Sequence, residues 1–291
     1  MSLHRGLLNG IFLISLASFL LAGMDTLGKY LMQHELHPMQ VIWARYSFHT
    51  LLIAILFGRR HYRDFISPKR PRLQIVRGSF LLGVTTGMYF SLREIPLSDA
   101  TTIMFVAPVL VTLLAALILK ESVKQLHWLA LAVGFIGILC VIQPEFSDFN
   151  PAYLLPLASS ILLAFYFIFT RQLKGHDKET TTLFHTTATG SILMSVLVPF
   201  FWQTVDWQGW SILALLGLLG AAGHLLLIRA FQRHHASSLS PFLNIQILAA
   251  TIYGVWVFAE SLTLSFTIGA GLITLAGLIT WYQDHKNNAV N

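Results

Sequence analysis

The sequence is short of charge and almost without cysteine. Charged residues make up 11% of its 291 positions, against about 25% in soluble globular chains. That scarcity argues against a soluble protein and for a polytopic membrane protein. Cys140 is the single cysteine, which excludes an intrachain disulfide and a multi-cysteine metal site. There is no GxxxxGK[ST], so no ATP engine is expected in the chain. HExxH, GxSxG and an aspartate-rich pair able to hold magnesium and a diphosphate are also missing. A membrane-embedded enzyme acting on a lipid-linked substrate is therefore the weaker alternative. Neither a metal nor a cofactor is expected. No polar stretch is long enough to fold as a domain outside the membrane. The first apolar run continues to Leu31 without a small-residue cleavage site and reads as a retained helix rather than a signal peptide.

What is present is apolar. Hydrophobic residues make up 55% of the chain. They gather in ten segments, about 9–31, 39–57, 74–94, 98–119, 126–143, 152–173, 181–201, 209–231, 238–259 and 264–282. About 20 such residues cross a bilayer core of roughly 30 Å. Turn formers separate them: His37-Pro38, Pro68, Pro71, Pro96, Pro144, Asn150-Pro151, and Asp206 to Gly209.

Two stretches read alike. Pro96 to Glu121 and Ala236 to Glu260 each carry paired hydroxyl residues, Thr101-Thr102 or Ser237-Ser238. Each has a proline in its first half, Pro108 or Pro241, and each ends in Glu-Ser. The two glutamates lie 139 residues apart, so the chain reads as one half written twice. The halves are expected at 1–145 and 146–291.

The net charge of +6 reads as membrane topology rather than as a nucleic-acid footprint. With the N-terminus in the cytoplasm, 16 of the 19 lysines and arginines fall on the inner side, Arg77 among them. The exceptions are Lys29, Arg45 and Arg93, near outer helix ends. Both termini are expected inside, in an inner (plasma) membrane. Five helices per half is an odd number, so the second half is expected upside down relative to the first. That is the inverted-repeat plan of secondary transporters, with the site between the halves near the midplane. An old duplication in a structural protein and a channel subunit are the competing readings.

Polar groups deep in a span are costly, about 2.5–3.5 kcal/mol for a charge at a helix centre. Asp25 and Arg45 lie at matching depth in segments 1 and 2, with Lys29 one turn from Asp25 and His49 one turn from Arg45. Two readings stay open: a charge cluster that binds a zwitterion or exchanges a proton, and a structural ion pair. Lys29 and Arg93 also fit side chains that snorkel to the interface. His185, His224, Asn244 and Gln246 are the polar groups of the second half. Tyr89, Thr101, Phe105, Tyr166 and Trp256 are candidate substrate contacts, packing being the alternative for each. Pro108 and Pro241 are candidate hinges or fixed kinks in the middle of spans.

These residues resemble the drug/metabolite transporter superfamily in its EamA-type branch. The resemblance rests on Ala22-Gly23-Met24-Asp25 with Lys29, and on Arg45. It continues through Pro96-Leu97-Ser98-Asp99-Ala100-Thr101 with Pro108 and Lys120-Glu121, then Gly134-Phe135-Ile136-Gly137 to Pro144. Ala236, Pro241-Phe242 and Ala259-Glu260 carry it in the second half. Asn244-Ile245 departs from relatives, where a tyrosine is common. The resemblance implies an all-α fold of ten helices in two inverted repeats. It implies secondary transport of a small polar or zwitterionic metabolite, amino-acid-like or S-adenosylmethionine-like. Segments 1, 3, 4, 6, 8 and 9 are implied to line the path. Export of amphiphilic drugs or vitamins is the alternative within the class. The expected partners are the small-molecule substrate, membrane lipids and a candidate coupling proton, with no nucleic acid. Monomer and homodimer both stay open.

Overall fold

The computed structural model describes residues 2–119, 125–143, 150–173, 176–233 and 240–288. All regular structure among them is helical. The helices are α1 (Ser2–Gln33), α2 (Pro38–Ile66), α3 (Pro71–Leu92), α4 (Leu97–Met104), α5 (Ala107–Leu119), α6 (Gln125–Ile142), α7 (Leu154–Gln172), α8 (Glu179–Leu197), α9 (Trp207–Arg233), α10 (Ile245–Phe258) and α11 (Leu264–Asn288). Short 3₁₀ turns stand at Pro151–Tyr153, Val198–Phe201 and Ser240–Asn244. Seven helices are long and apolar enough to cross a membrane: α1, α2, α3, α7, α8, α9 and α11. The apolar stretches Leu97–Val111, Trp128–Ile142 and Phe242–Phe258 are shorter; they fall in the fourth, fifth and ninth segments of the sequence. Lys120-Glu121, Pro144, His234-His235 and Ala236 to Ser238 lie outside the described residues.

Local chemistry sets the helix ends. Pro38 and Pro71 open α2 and α3 at a position where a missing N–H costs nothing. His37 caps α2, its Nδ1 accepting from the Met39 N–H. Helix α10 closes through a bond from the Glu260 N–H to the Gly254 carbonyl, with Ala259 left-handed at φ 53°. Alanine stands there where a Schellman closure usually has glycine.

The fourth segment is two helices rather than one. The Phe105 and Val106 N–H groups bond only three residues back, to Thr102 and Ile103. Pro108, with no N–H, sits at the second position of α5. The break therefore lies at Phe105-Val106, ahead of the proline. Pro241 falls in the 3₁₀ turn that leads into α10, at the start of its helix rather than in the middle of a span.

The most extensive interfaces all join a helix of the N-terminal half to one of the C-terminal half. They pair α1 with α9, α6 with α11, α3 with α7, and α2 with α8. Further contacts join α1 with α10, α2 with α9, α3 with α8, and α5 with α7. Gly137 and Gly269 show how α6 and α11 come so close: a Cβ on either would lie under 3.0 Å from the other's carbonyl oxygen. Close backbone approach of this kind drives helix association in lipid, where the hydrophobic effect contributes little. The main core gathers α1, α2, α3 and α9 around Tyr89, Leu92, Ile42 and Leu216.

Candidate functional site

Arg45 of α2 donates from Nη1 to Asp25 Oδ1 of α1 at 3.2 Å, with both side chains largely buried. The Tyr89 ring of α3 lies 5.5 Å from the guanidinium. Its hydroxyl sits beside both charged groups without a hydrogen bond of good geometry. Tyr89 reaches this position because Gly28 has no side chain; a Cβ there would lie 2.6 Å from the ring. One turn along α2 from Arg45, His49 stacks on His224 of α9, the rings 5.5 Å apart. His49 Nε2 is buried and has no partner.

A small cavity lies beside these groups. It is lined by Arg45, Tyr46 and His49 of α2, Leu81 of α3, Tyr166 of α7, Leu183, Thr186 and Thr187 of α8, and His224 of α9. Its free volume is about 30 Å³. One or two waters fit such a space, each needing about 10–15 Å³. A site enclosing a whole metabolite runs to about 300–1,000 Å³. The wall thus comes from the second, third, sixth, seventh and eighth segments, with the second and seventh joining those the resemblance implies. Tyr46 bonds Thr85 at 2.9 Å and so braces the α2 wall against α3.

Lys29 belongs to a different cluster. It is 5% exposed, so it does not snorkel. Its Nζ donates to Glu260 Oε1 at 2.7 Å and to the Ile95 carbonyl at 2.9 Å, with the Phe258 ring 5.0 Å away. Glu260 also accepts from the Leu97 N–H at 2.6 Å, the Ser98 N–H at 3.3 Å and the Ser98 hydroxyl at 3.1 Å. A carboxylate from the C-terminal half therefore caps the N-terminus of α4 and pairs with α1 at once. Asp99, one turn into α4, accepts from the Tyr153 hydroxyl at 2.7 Å. The sequence marks Glu260 only as the close of a repeat. Its partner lies 231 residues away, and no local pattern points to it.

Arg77 is the second residue that sequence reasoning missed. It was counted among the inner loop charges, yet it is 4% exposed inside the bundle. Its Nε donates to Thr170 Oγ1 at 2.5 Å, and Nη2 to the Tyr166 hydroxyl at 2.6 Å. Nη1 donates to Thr186 Oγ1 at 2.5 Å and to the Thr182 carbonyl at 3.2 Å. Beyond it, the Lys69 N–H and Gln74 Nε2 donate to Asp177 at 2.7 and 2.9 Å. Partial burial works to raise the Asp177 carboxyl, but the bonds from Lys69, Gln74 and the Arg70 backbone outweigh it and hold the group below the usual carboxylate range.

The other candidates fall elsewhere. Thr101 is buried in α4, and Phe105 packs against Val106, Ile138 and Ile273. Asn244 precedes α10 near Gly277 of α11, and Gln246 is half-buried in α10. None of these four lines the cavity. Trp256 is 84% exposed on the outside of the bundle and is no substrate contact in this arrangement. His185 Nε2 bonds the Phe65 carbonyl at 2.8 Å and ties α8 to the end of α2. Arg93 is exposed, as a snorkelling side chain would be. Groups of three or more histidine, cysteine or carboxylate side chains able to hold a metal are absent among the described residues.

The arrangement is a small cavity with charged, hydroxyl and apolar walls beside a buried ion pair inside an apolar bundle. Proteins similar to this chain are transporters. Relatives include the S-adenosylmethionine uptake transporter of Rickettsia felis, 28% identical over 95% of this chain and 93% of that protein. The pseudopaline exporter of Pseudomonas aeruginosa is 25% identical over 96% of this chain and 97% of its own. The riboflavin transporter of Vibrio cholerae is 26% identical over 71% and 70%. A solved crystal structure, 16% identical, shares the fold with a TM-score of 0.60 over 95% of this chain and 96% of its own. The model of the EamA-like transporter family matches residues 8–143 and again 150–282. With nearly every described helix inside one of those two matches, the chain belongs to the EamA-like transporter family.

Proposed function

We propose that the protein is a secondary transporter of a small zwitterionic metabolite, S-adenosylmethionine-like or amino-acid-like, working by alternating access between two inverted halves. The observation that carries the reading is the cavity beside Asp25–Arg45, buried among spans of both halves. Ionisable groups at that depth are expensive unless they serve a pathway. The helix pairing supports a two-fold relation between the halves. Exchanging α1, α2, α3, α4–α5 and α6 for α7, α8, α9, α10 and α11 turns the α1–α9 interface into α3–α7. The same exchange turns α2–α9 into α3–α8, and α1–α10 into the contact of α7 with α4–α5. The double family match supports it too. An odd number of spans per half then inverts the second, with both termini in the cytoplasm.

The cavity is too small for a whole metabolite, so substrate enters when the spans separate at one end. Asp25, Arg45, His49 and His224 form the substrate or coupling centre, a proton being the coupling ion that an Asp–His wall suits. Pro108, just after the break in its segment, and Pro241, in the turn before α10, serve as hinges. The test is uptake of labelled S-adenosylmethionine by the purified protein in sealed liposomes, with the contents analysed afterwards. Unchanged compound accumulating inside supports the reading. A chemically altered compound, or no uptake above protein-free liposomes, overturns it.

A further inference from the structure

Among the described residues three cations, Lys29, Arg45 and Arg77, are buried or largely buried in the bundle, and two of them have carboxylate partners. Lys29 has Glu260 and Arg45 has Asp25. Arg77 has no carboxylate partner among the described residues; its acceptors are the hydroxyls of Thr170, Thr186 and Tyr166 and the Thr182 carbonyl. These oxygens take four of the five N–H donors but leave the charge unbalanced. Two of the acceptors, Tyr166 and Thr186, also line the cavity.

The directions of the bonds matter. Thr186 accepts from Arg77 and spends its own proton on the Thr182 carbonyl at 2.6 Å. Tyr166 accepts from Arg77, whose guanidinium lies 4.4 Å from the ring, and among the described residues it is the donor in no side-chain bond. Its O–H, polarised by the cation behind it, is left to point elsewhere. His49 of α2 also lines the cavity, and its Nε2 is buried without a partner among the described residues. The α7 wall thus offers an O–H backed by an unbalanced positive charge, and the α2 wall an unused imidazole nitrogen.

Resting on the transport reading above, we propose that Tyr166, Arg77 and His49 form the anion subsite of the transport site and take the carboxylate of the zwitterionic substrate. Arg45 is not the anion reader, because Asp25 already neutralises it. The Tyr166 hydroxyl donates to one carboxylate oxygen, Arg77 supplies the countercharge through it, and His49 Nε2 faces the other oxygen. The cavity has room for a group of that size; the rest of the substrate needs the bundle to open further. Charge-assisted donors of this kind are the strong ones.

The experiment is calorimetric titration of the purified full-length protein with two compounds. One is S-adenosylmethionine; the other is its decarboxylated counterpart, which differs only in the missing carboxylate. The wild-type protein is expected to bind the first at least about tenfold more tightly. Arg77→Gln and Tyr166→Phe should each remove most of that ratio by weakening S-adenosylmethionine alone. Tyr166→Phe keeps the ring packing, so it serves if Arg77→Gln fails to fold. Equal affinity of the wild-type protein for both compounds overturns the subsite and leaves the transport reading standing. A ratio unchanged in the variants, or both compounds weakened alike, also overturns it. Binding of neither compound by the wild-type protein overturns the S-adenosylmethionine-like class and the subsite with it.

Discussion

At one end of the bundle, Lys29 and Glu260 make a buried ion pair that also caps α4. At the other, Arg77 is held by three hydroxyls and a carbonyl, with no carboxylate partner among the described residues. Both clusters tie the N-terminal half to the C-terminal half, so both must loosen if the halves rock. They differ in what loosening exposes. Parting Lys29 from Glu260 separates two opposite charges, Glu260 keeping only the Leu97 and Ser98 donors and Lys29 only the Ile95 carbonyl as hydrogen-bond partners. Parting Arg77 from its neutral partners frees one cation, which a substrate anion can then satisfy. The first end is thus built as a latch, and the second as a latch that substrate can take over.

The largest expected effect comes from breaking the charged latch. Glu260→Ala removes the ion-pair partner of buried Lys29 and uncaps α4, and should lower stability by about 3–5 kcal/mol. Replacing both, Lys29→Met with Glu260→Gln, should restore much of the loss. Melting in detergent checks this; a double variant no more stable than Glu260→Ala would contradict a latch made of paired charge. At the other end the effect should be smaller. Thr186→Val removes one hydroxyl from Arg77 and should lower stability by about 1.5–3 kcal/mol, read in the same melts. A loss as large as that of Glu260→Ala would erase the contrast between the ends.

The smallest effect concerns Asp177, beyond Arg77 at the same end. Its carboxyl is held below the usual range, so its contribution is complete above the ordinary value of about 3.9 and fades as pH falls further. Asp177→Asn should therefore be slightly less stable than the parent from neutral pH down to about 4, the two converging below. A difference that grows on acidification would show that the carboxyl is not held down by its donors.

The three buried clusters were unequally legible in the sequence. Asp25 and Arg45 stood out because each charge lies deep in an apolar run, at the same depth as the other. Their pairing follows from the cost of leaving either alone. Glu260 and Arg77 did not stand out, since each adjoins a segment end where charge is ordinary. Arg77 follows a run of basic residues and reads as one more cytoplasmic charge, until the inward course of α3 buries it. The prolines were legible as breaks but not in place. Pro108 acts through the turn before it, and Pro241 opens its helix instead of bending it. Trp256 was misread because an aromatic at helical spacing carries no mark of which face meets lipid.

The account stands or falls on whether the charge at Asp25 works in the transport cycle or only holds α1 to α2. Asp25→Asn separates the two, measured on one preparation by a thermal melt in detergent and by uptake of labelled S-adenosylmethionine into liposomes across a range of pH. The amide keeps the shape and some hydrogen bonding but cannot change charge. If the charge works in transport, uptake should be lost at every pH in a protein that still folds, with melting lowered by less than in Glu260→Ala because the amide oxygen can still accept from Arg45. Wild-type uptake by a stable Asp25→Asn protein would contradict it.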